Sequence, residues 1–134
     1  MPTTVLMIVI VIPSTVMNML LGALLSGLND YTIDERGDVG SWVRLTSVQG
    51  LTTLCELLFT HAEWLPRFEE HLPPAIYVTV ASGVLKQGVE RLDNVRQEAG
   101  KCFLRLLTAR LPAFNGADRW QLPGKELLRE LFQS

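Results

Sequence analysis

The chain has 134 residues, a net charge of −2 and a mean hydropathy of +0.22. That is enough for one domain with a modest core, and too little charge to argue for nucleic acid or an anionic membrane surface. The first 29 residues carry no charged side chain, eight acids and three bases follow as far as His71, and nine bases and six acids lie beyond it; this asymmetry reads as two solvated faces rather than a polyelectrolyte site.

In chain order, "VLMIVIVI" (Val5–Ile12) comes first. It has no basic flank and no small-x-small site, so a signal peptide is disfavoured. Pro13, Ser14, Thr15 and Asn18 break the apolar run, so a spanning helix is disfavoured too. The expectation is two buried pieces. Val5–Ile12 is open between strand and helix, because so short an apolar run does not distinguish them. A helix then starts at Pro13-Ser14, with Val16/Met17, Leu20/Leu21, Leu24/Leu25 and Leu28 at helical spacing. Residues 1–12 are thus an apolar N-terminal segment, and 13–134 a helical body.

Further on, Val39–His61 places Val39, Trp42/Val43, Leu51, Leu54 and Leu57/Leu58 near one side of a helix. Trp42, one turn beyond Asp38, is expected in the core. A connector follows, with Pro66, Pro73 and Pro74 as breakers. Pro74–Gly88 repeats Tyr77, Val80/Ala81 and Val84/Leu85, with a strand as the alternative. The clearest helix is Val89–Leu111, with an apolar stripe of Leu92, Val95, Ala99, Cys102/Phe103 and Leu106/Leu107 and charges opposite. A loop and a short terminal helix, "KELLRELFQ", complete the chain. Cys55 and Cys102 sit far apart inside apolar patterns and read as free, buried thiols in a reducing compartment. With His61 and His71 they lack the paired spacing of a zinc set, so neither metal nor cofactor is expected.

The helices pair, and the pairs repeat. Laying "DVGSWVRLTSVQGL" (Asp38–Leu51) on "ERLDNVRQEAGKCF" (Glu90–Phe103) aligns Val43-Arg44 with Val95-Arg96 and Asp38 with Glu90. An acid followed six residues later by arginine, after valine, resembles the HEAT-repeat signature. Physically, the acid accepts orphan N–H groups at a helix start, and the arginine lies where it can bridge to the acid of the next repeat. Gly37 and Gly40 allow a tight approach to the helix. The expected fold is all-α: an α-solenoid of HEAT-like antiparallel hairpins, with Asp38, Arg44, Glu90 and Arg96 as helix cap and ladder. Arg36-Gly37-Asp38 is also the tripeptide that integrins read, but Asp38 reads as a cap and Arg36 as a loop charge.

The passage "GALLSGLNDYTIDERGDVGSWVR" (Gly22–Arg44) resembles the stretch that marks the tubulin-folding cofactor D family, and "GVLKQGVERLDNVRQEAGKCFLRLL" (Gly83–Leu107) resembles that family's next repeat. Family members are far longer α-solenoids, so the resemblance implies a fragment of the C-terminal region. It implies a non-catalytic, cytoplasmic, cytoskeleton-associated protein acting after chaperonin release of tubulin. Such proteins bind β-tubulin, assemble with cofactors C and E and an ADP-ribosylation-factor-like small GTPase, and form or take apart the αβ heterodimer. The complex stimulates GTP hydrolysis at tubulin's own site. The residues agree: no phosphate loop, nucleophile elbow or H-E-x-x-H is present, and Asp34/Glu35 and Glu69/Glu70 read as solvated neighbours. Candidate partner contacts are Asp34, Glu35 and Arg36 in the acidic loop, and the bases Arg91, Lys101 and Arg105. The alternatives are a generic HEAT scaffold, and a membrane-tethered protein using residues 1–28.

Overall fold

Six α-helices follow one another along the residues that the computed structural model describes, 4–122 and 124: α1 (Thr4–Val11), α2 (Ser14–Gly27), α3 (Gly40–Thr60), α4 (Phe68–His71), α5 (Pro74–Gln87) and α6 (Asp93–Thr108). Single 3₁₀ turns occupy Ala62–Trp64 and Ala117–Trp120. There is no strand among the described residues, so both segments for which a strand stayed open are helical. The terminal helix expected in "KELLRELFQ" lies outside the described residues.

Proline sets two of the helix starts. Pro13 is extended immediately before α2, and its carbonyl accepts the N–H of Met17 at 3.0 Å. Pro74 opens α5, where its missing N–H is one that a first turn leaves unpaired anyway. α2 and α3 are antiparallel: late α2 meets early α3 where Gly27 faces Ser47, and Leu24 lies against Gly50. α5 and α6 are antiparallel as well, since Tyr77 at the start of α5 donates its hydroxyl to the Leu106 carbonyl late in α6, at 3.1 Å. The two hairpins are joined by direct packing of α3 on α6, and by Leu28, whose side chain lies against Gly83 of α5.

The core runs through both hairpins. α3 contributes Val48, Leu51, Cys55, Leu58 and Phe59; α5 contributes Tyr77, Val80, Ala81 and Val84; α6 contributes Val95, Ala99, Cys102, Phe103, Leu106 and Leu107. The larger of these each contribute about 1.5–3 kcal/mol on burial. On α6 the buried set is the stripe expected from its periodicity, except that Leu92 lies just before the helix and is exposed. Aromatic rings extend the core beneath the connector. Phe59 meets Tyr77 edge-on at 4.9 Å, and Phe68 meets Trp120 at 5.0 Å. Trp120 donates its indole N–H to the Leu72 carbonyl at 2.8 Å, pinning the segment after α6 across the helices. That segment reads only as a loop in the sequence, and its anchor is this one long-range hydrogen bond and the rings around it.

Cys55 and Cys102 are free and buried. Burial pushes the Cys55 thiol up to about 12 and raises that of Cys102, so neither is a ready nucleophile at neutral pH.

Two expectations fail. α1 and α2 are not fully buried pieces: Met7, Ile8, Val11, Val16, Met19 and Leu20 are exposed, and only Met17 and Leu21 of α2 are fully inside. α2 is apolar on more than one flank, whereas only the flank carrying Met17 and Leu21 is fully inside, where α2 packs on α3 and α4. No helix among the described residues is long and apolar enough to cross a membrane. Trp42 is the second failure. It is 57 % exposed rather than in the core. The buried face of α3 begins Gly40, Ser41, Arg44, Ser47, so the inward positions of its first two turns are small or polar and Trp42 and Val43 fall outside.

Candidate functional site

The connection from α2 to α3, residues 28–39, holds Asp34, Glu35, Arg36 and Asp38 among the residues singled out in the sequence. It starts as a tight turn: Asp30 N–H donates to the Gly27 carbonyl at 3.2 Å, and Asp30 Oδ1 accepts the N–H of Thr32 at 3.0 Å. Such local acceptance is why aspartate favours turns, and it holds the Asp30 carboxyl below its ordinary range. A second turn closes at Asp34 and Gly37, which exchange backbone hydrogen bonds of 3.0 and 2.9 Å. Gly37 has φ +105°, where a side chain is strained. The chain then returns past the first turn, with Gly40 N–H on the Thr32 carbonyl at 2.9 Å. A Cβ at Gly40 would stand 2.3 Å from the Asp30 carbonyl oxygen, so no other residue fits there without moving backbone.

Arg44 lies beneath this loop, 1 % exposed. Its guanidinium donates through Nη2 to Asp38 Oδ2 at 2.9 Å, and through Nη1 to Asp38 Oδ1 at 3.2 Å and the Asp30 carbonyl at 2.8 Å. It also lies 4.1 Å from the centre of the Tyr31 ring. Asp38 Oδ1 accepts the N–H of Ser41 at 3.1 Å as well, in the first turn of α3. The Arg44 hydrogen bond is the main reason that the Asp38 carboxyl is held below its ordinary range. The buried arginine thus has a fork-to-fork partner, as a desolvated guanidinium requires.

This corrects the expected ladder. Arg44 pairs with Asp38 of its own hairpin rather than with the acid of the next. The link between the hairpins is Tyr31, whose hydroxyl donates to Glu90 Oε1 at 2.7 Å and accepts from Gln87 Nε2 at 3.3 Å. Gln87 Nε2 also donates to the Leu28 carbonyl at 3.1 Å. Glu90, expected at a helix start, lies in the turn before α6 with its carboxylate on Tyr31. Arg96 instead pairs with Asp93 and donates to the Glu90 carbonyl at 3.3 Å. Tyr31 and Gln87 lie within the two quoted passages, but they carry no charge and the sequence assigns neither of them a role.

The surface of the loop carries the other candidates. Arg36 pairs with Asp34 at 2.7 Å and lies over the Trp42 ring at 5.5 Å. Glu35 is exposed and has no ion pair. Both oxygens of Asp38 are engaged with Arg44, so the Arg36-Gly37-Asp38 tripeptide does not offer that carboxylate outward. Among the candidate bases, Arg91 and Lys101 are exposed, whereas Arg105 pairs with Glu56 and ties α6 to α3. An open cleft of about 880 Å³ lies between the end of α3 and the segment after α6. Its lining has no histidine, cysteine or serine, and its threonines donate to helix carbonyls: Thr60 to Glu56 and Thr108 to Leu104, each at 2.8 Å. No group of side chains among the described residues could hold a metal ion.

What the loop offers is therefore a rigid, charged turn with an exposed tryptophan, tied through Tyr31 to the second hairpin. Comparison with solved structures finds no match. The family model described as tubulin folding cofactor D C terminal matches residues 78–134, which take in most of α5 and the whole of α6, so that part of the chain is similar to the C-terminal region of the tubulin folding cofactor D family.

Proposed function

We propose that the chain acts as a non-catalytic tubulin-folding cofactor. It binds β-tubulin in the cytosol and takes part, with cofactors C and E and an ADP-ribosylation-factor-like small GTPase, in assembling and dismantling the αβ heterodimer. The observation that carries this reading is the family match over residues 78–134. The packed hairpins support it as two successive units of a HEAT-type solenoid, an architecture that binds partners through many modest contacts along one face. In this reading Asp38 caps α3, Arg44 holds the loop closed, and Asp34, Glu35 and Arg36 face the partner. GTP hydrolysis in the assembled complex is tubulin's own chemistry.

The test is direct binding of the 134-residue chain to purified αβ-tubulin, followed by tubulin GTP hydrolysis in the presence of cofactors C and E. Saturable binding is the expected result. A folded chain that binds no tubulin would overturn the reading in favour of a helical-repeat scaffold for another partner.

A further inference from the structure

Trp42 is out of place in a purely structural account of the loop. A scattered exposed apolar residue needs no explanation, but Trp42 carries the Arg36 guanidinium over its ring, 5.5 Å from the centroid. Arg36 is itself held by Asp34, both through its guanidinium at 2.7 Å and through its backbone N–H on Asp34 Oδ1 at 2.7 Å. The turn beneath is closed by the reciprocal Asp34–Gly37 bonds. The ring is therefore presented by a chain of fixed contacts, and little freedom remains for binding to remove. Ile33, in the same loop, is 73 % exposed.

Charge points to the kind of surface that would receive it. Asp34 is neutralised by Arg36 and Asp38 by Arg44, but Asp30 and Glu35 have no ion pair among the described residues, and Glu90 meets the loop through the Tyr31 hydroxyl. The loop whose Arg36 lies over Trp42 thus carries net negative charge. Its complement is an apolar pocket rimmed by lysine or arginine. We propose that Trp42 is the anchor by which this chain grips tubulin, seated in such a pocket, with Glu35 facing its basic rim. This rests on the tubulin-binding reading above and deepens it.

The experiment measures affinity of the full 134-residue chain for purified αβ-tubulin at two salt concentrations, with sedimentation of the chain alone alongside. Trp42→Ala should weaken binding at least about thirtyfold, the loss a central tryptophan anchor produces, while its thermal midpoint stays close to wild type. Trp42→Phe should recover much of the affinity. Glu35→Gln should slow association a few-fold and flatten the salt dependence. If the wild type binds and Trp42→Ala binds equally, the anchor is overturned and the tubulin reading stands. If the wild type binds no tubulin, that reading falls first and the anchor with it. If Trp42→Ala dissolves a dimer of the chain and leaves tubulin affinity intact, the occupant is a second copy and the proposal is wrong.

Discussion

The α5–α6 hairpin turns within residues 88–92, whereas α2–α3 takes residues 28–39 for the same reversal. Both turns begin alike. Leu28, Asn29 and Asp30 donate to Leu25, Ser26 and Gly27, as Gly88, Val89 and Glu90 donate to Leu85, Lys86 and Gln87. In both, an arginine of the second helix donates to the carbonyl that closes the turn: Arg44 to Asp30 at 2.8 Å, and Arg96 to Glu90 at 3.3 Å. Asp30 is therefore the counterpart of Glu90, and the stretch from Tyr31 to Asp38 is an insertion with none. The insertion changes the arginine's environment. Arg44 is 1 % exposed, whereas the Arg96 side chain is 43 % exposed. A buried guanidinium needs a carboxylate and Asp38 supplies it; an exposed one has water, and its pair with Asp93 is on the surface.

The sharpest way to break this comparison is to remove each arginine in turn. Arg44→Ala strips a buried charge from Asp38 and an acceptor-satisfying donor from Asp30, and should cost about 3 kcal/mol in denaturant unfolding. Arg96→Ala should cost less than about 1 kcal/mol, as an exposed pair does. Equal costs would show that the inserted loop does not bury Arg44 in solution. Arg44→Lys should restore little, because an ammonium cannot fork onto both Asp38 oxygens.

Gly40→Ala tests the folded loop itself. The clash is with backbone, which yields less readily than a side chain, so a loss of about 1–3 kcal/mol is expected. A wild-type melting curve for this variant would mean that the return past Asp30 is looser than the 2.9 Å bond from Gly40 to Thr32 implies.

Titration sharpens the comparison further. Arg44 holds the Asp38 carboxyl below its ordinary range in the folded chain, against about 3.9 when unfolded. A lowered folded pKa contributes stability that is present above the unfolded value and lost as pH falls through the folded one. Asp30 and Asp34 are lowered too and act in the same direction. Thermal midpoints should therefore drop below about pH 4, and Asp38→Asn should be less stable at neutral pH with a shallower acid limb. An unchanged acid limb would remove Asp38 from the account. At the alkaline end the sign reverses. The raised Cys55 thiol, at about 12, contributes stability that is complete below its unfolded pKa of about 8.5 and is lost as pH rises through the folded value.

The smallest expected effects belong to the loop surface. Arg36→Ala and Trp42→Ala should each cost no more than about 1 kcal/mol, since an exposed ion pair and an exposed cation–π contact are all they remove. A loss of about 3 kcal/mol for Trp42→Ala would restore it to the core.

Much of the helical frame was legible in residues 13–111. Pro13 and Pro74 mark helix starts, and the stripe from Val95 to Leu107 gives the buried face of α6 because its polar and apolar residues separate cleanly. The spacing of Asp38 and Arg44 marked an acid at the start of α3 and an arginine expected to bridge to the next repeat, whereas Arg44 pairs with Asp38. It did not reveal which partner each takes, because a carboxylate and a guanidinium can pair within a hairpin or between hairpins at the same sequence spacing. The alignment of Asp38 with Glu90 failed for a related reason: matching acids one repeat apart hides an insertion that only the turn hydrogen bonds expose.

By itself, then, the sequence determined helices α2, α3 and α6 and the buried face of α6, since these follow from backbone chemistry and local periodicity, while α1 and α5 stayed open between helix and strand. Tertiary structure decided how α3 is rotated and what its first turns bury. Periodicity assigns Trp42 to the inside on the rule that apolar residues are buried. That rule fails where a buried charge has its counter-charge beside it, and Arg44 is paired through both Nη atoms with Asp38 and Asp30 and covered by Tyr31. With Arg44 and Ser47 turned inward, helical geometry places Trp42 outside.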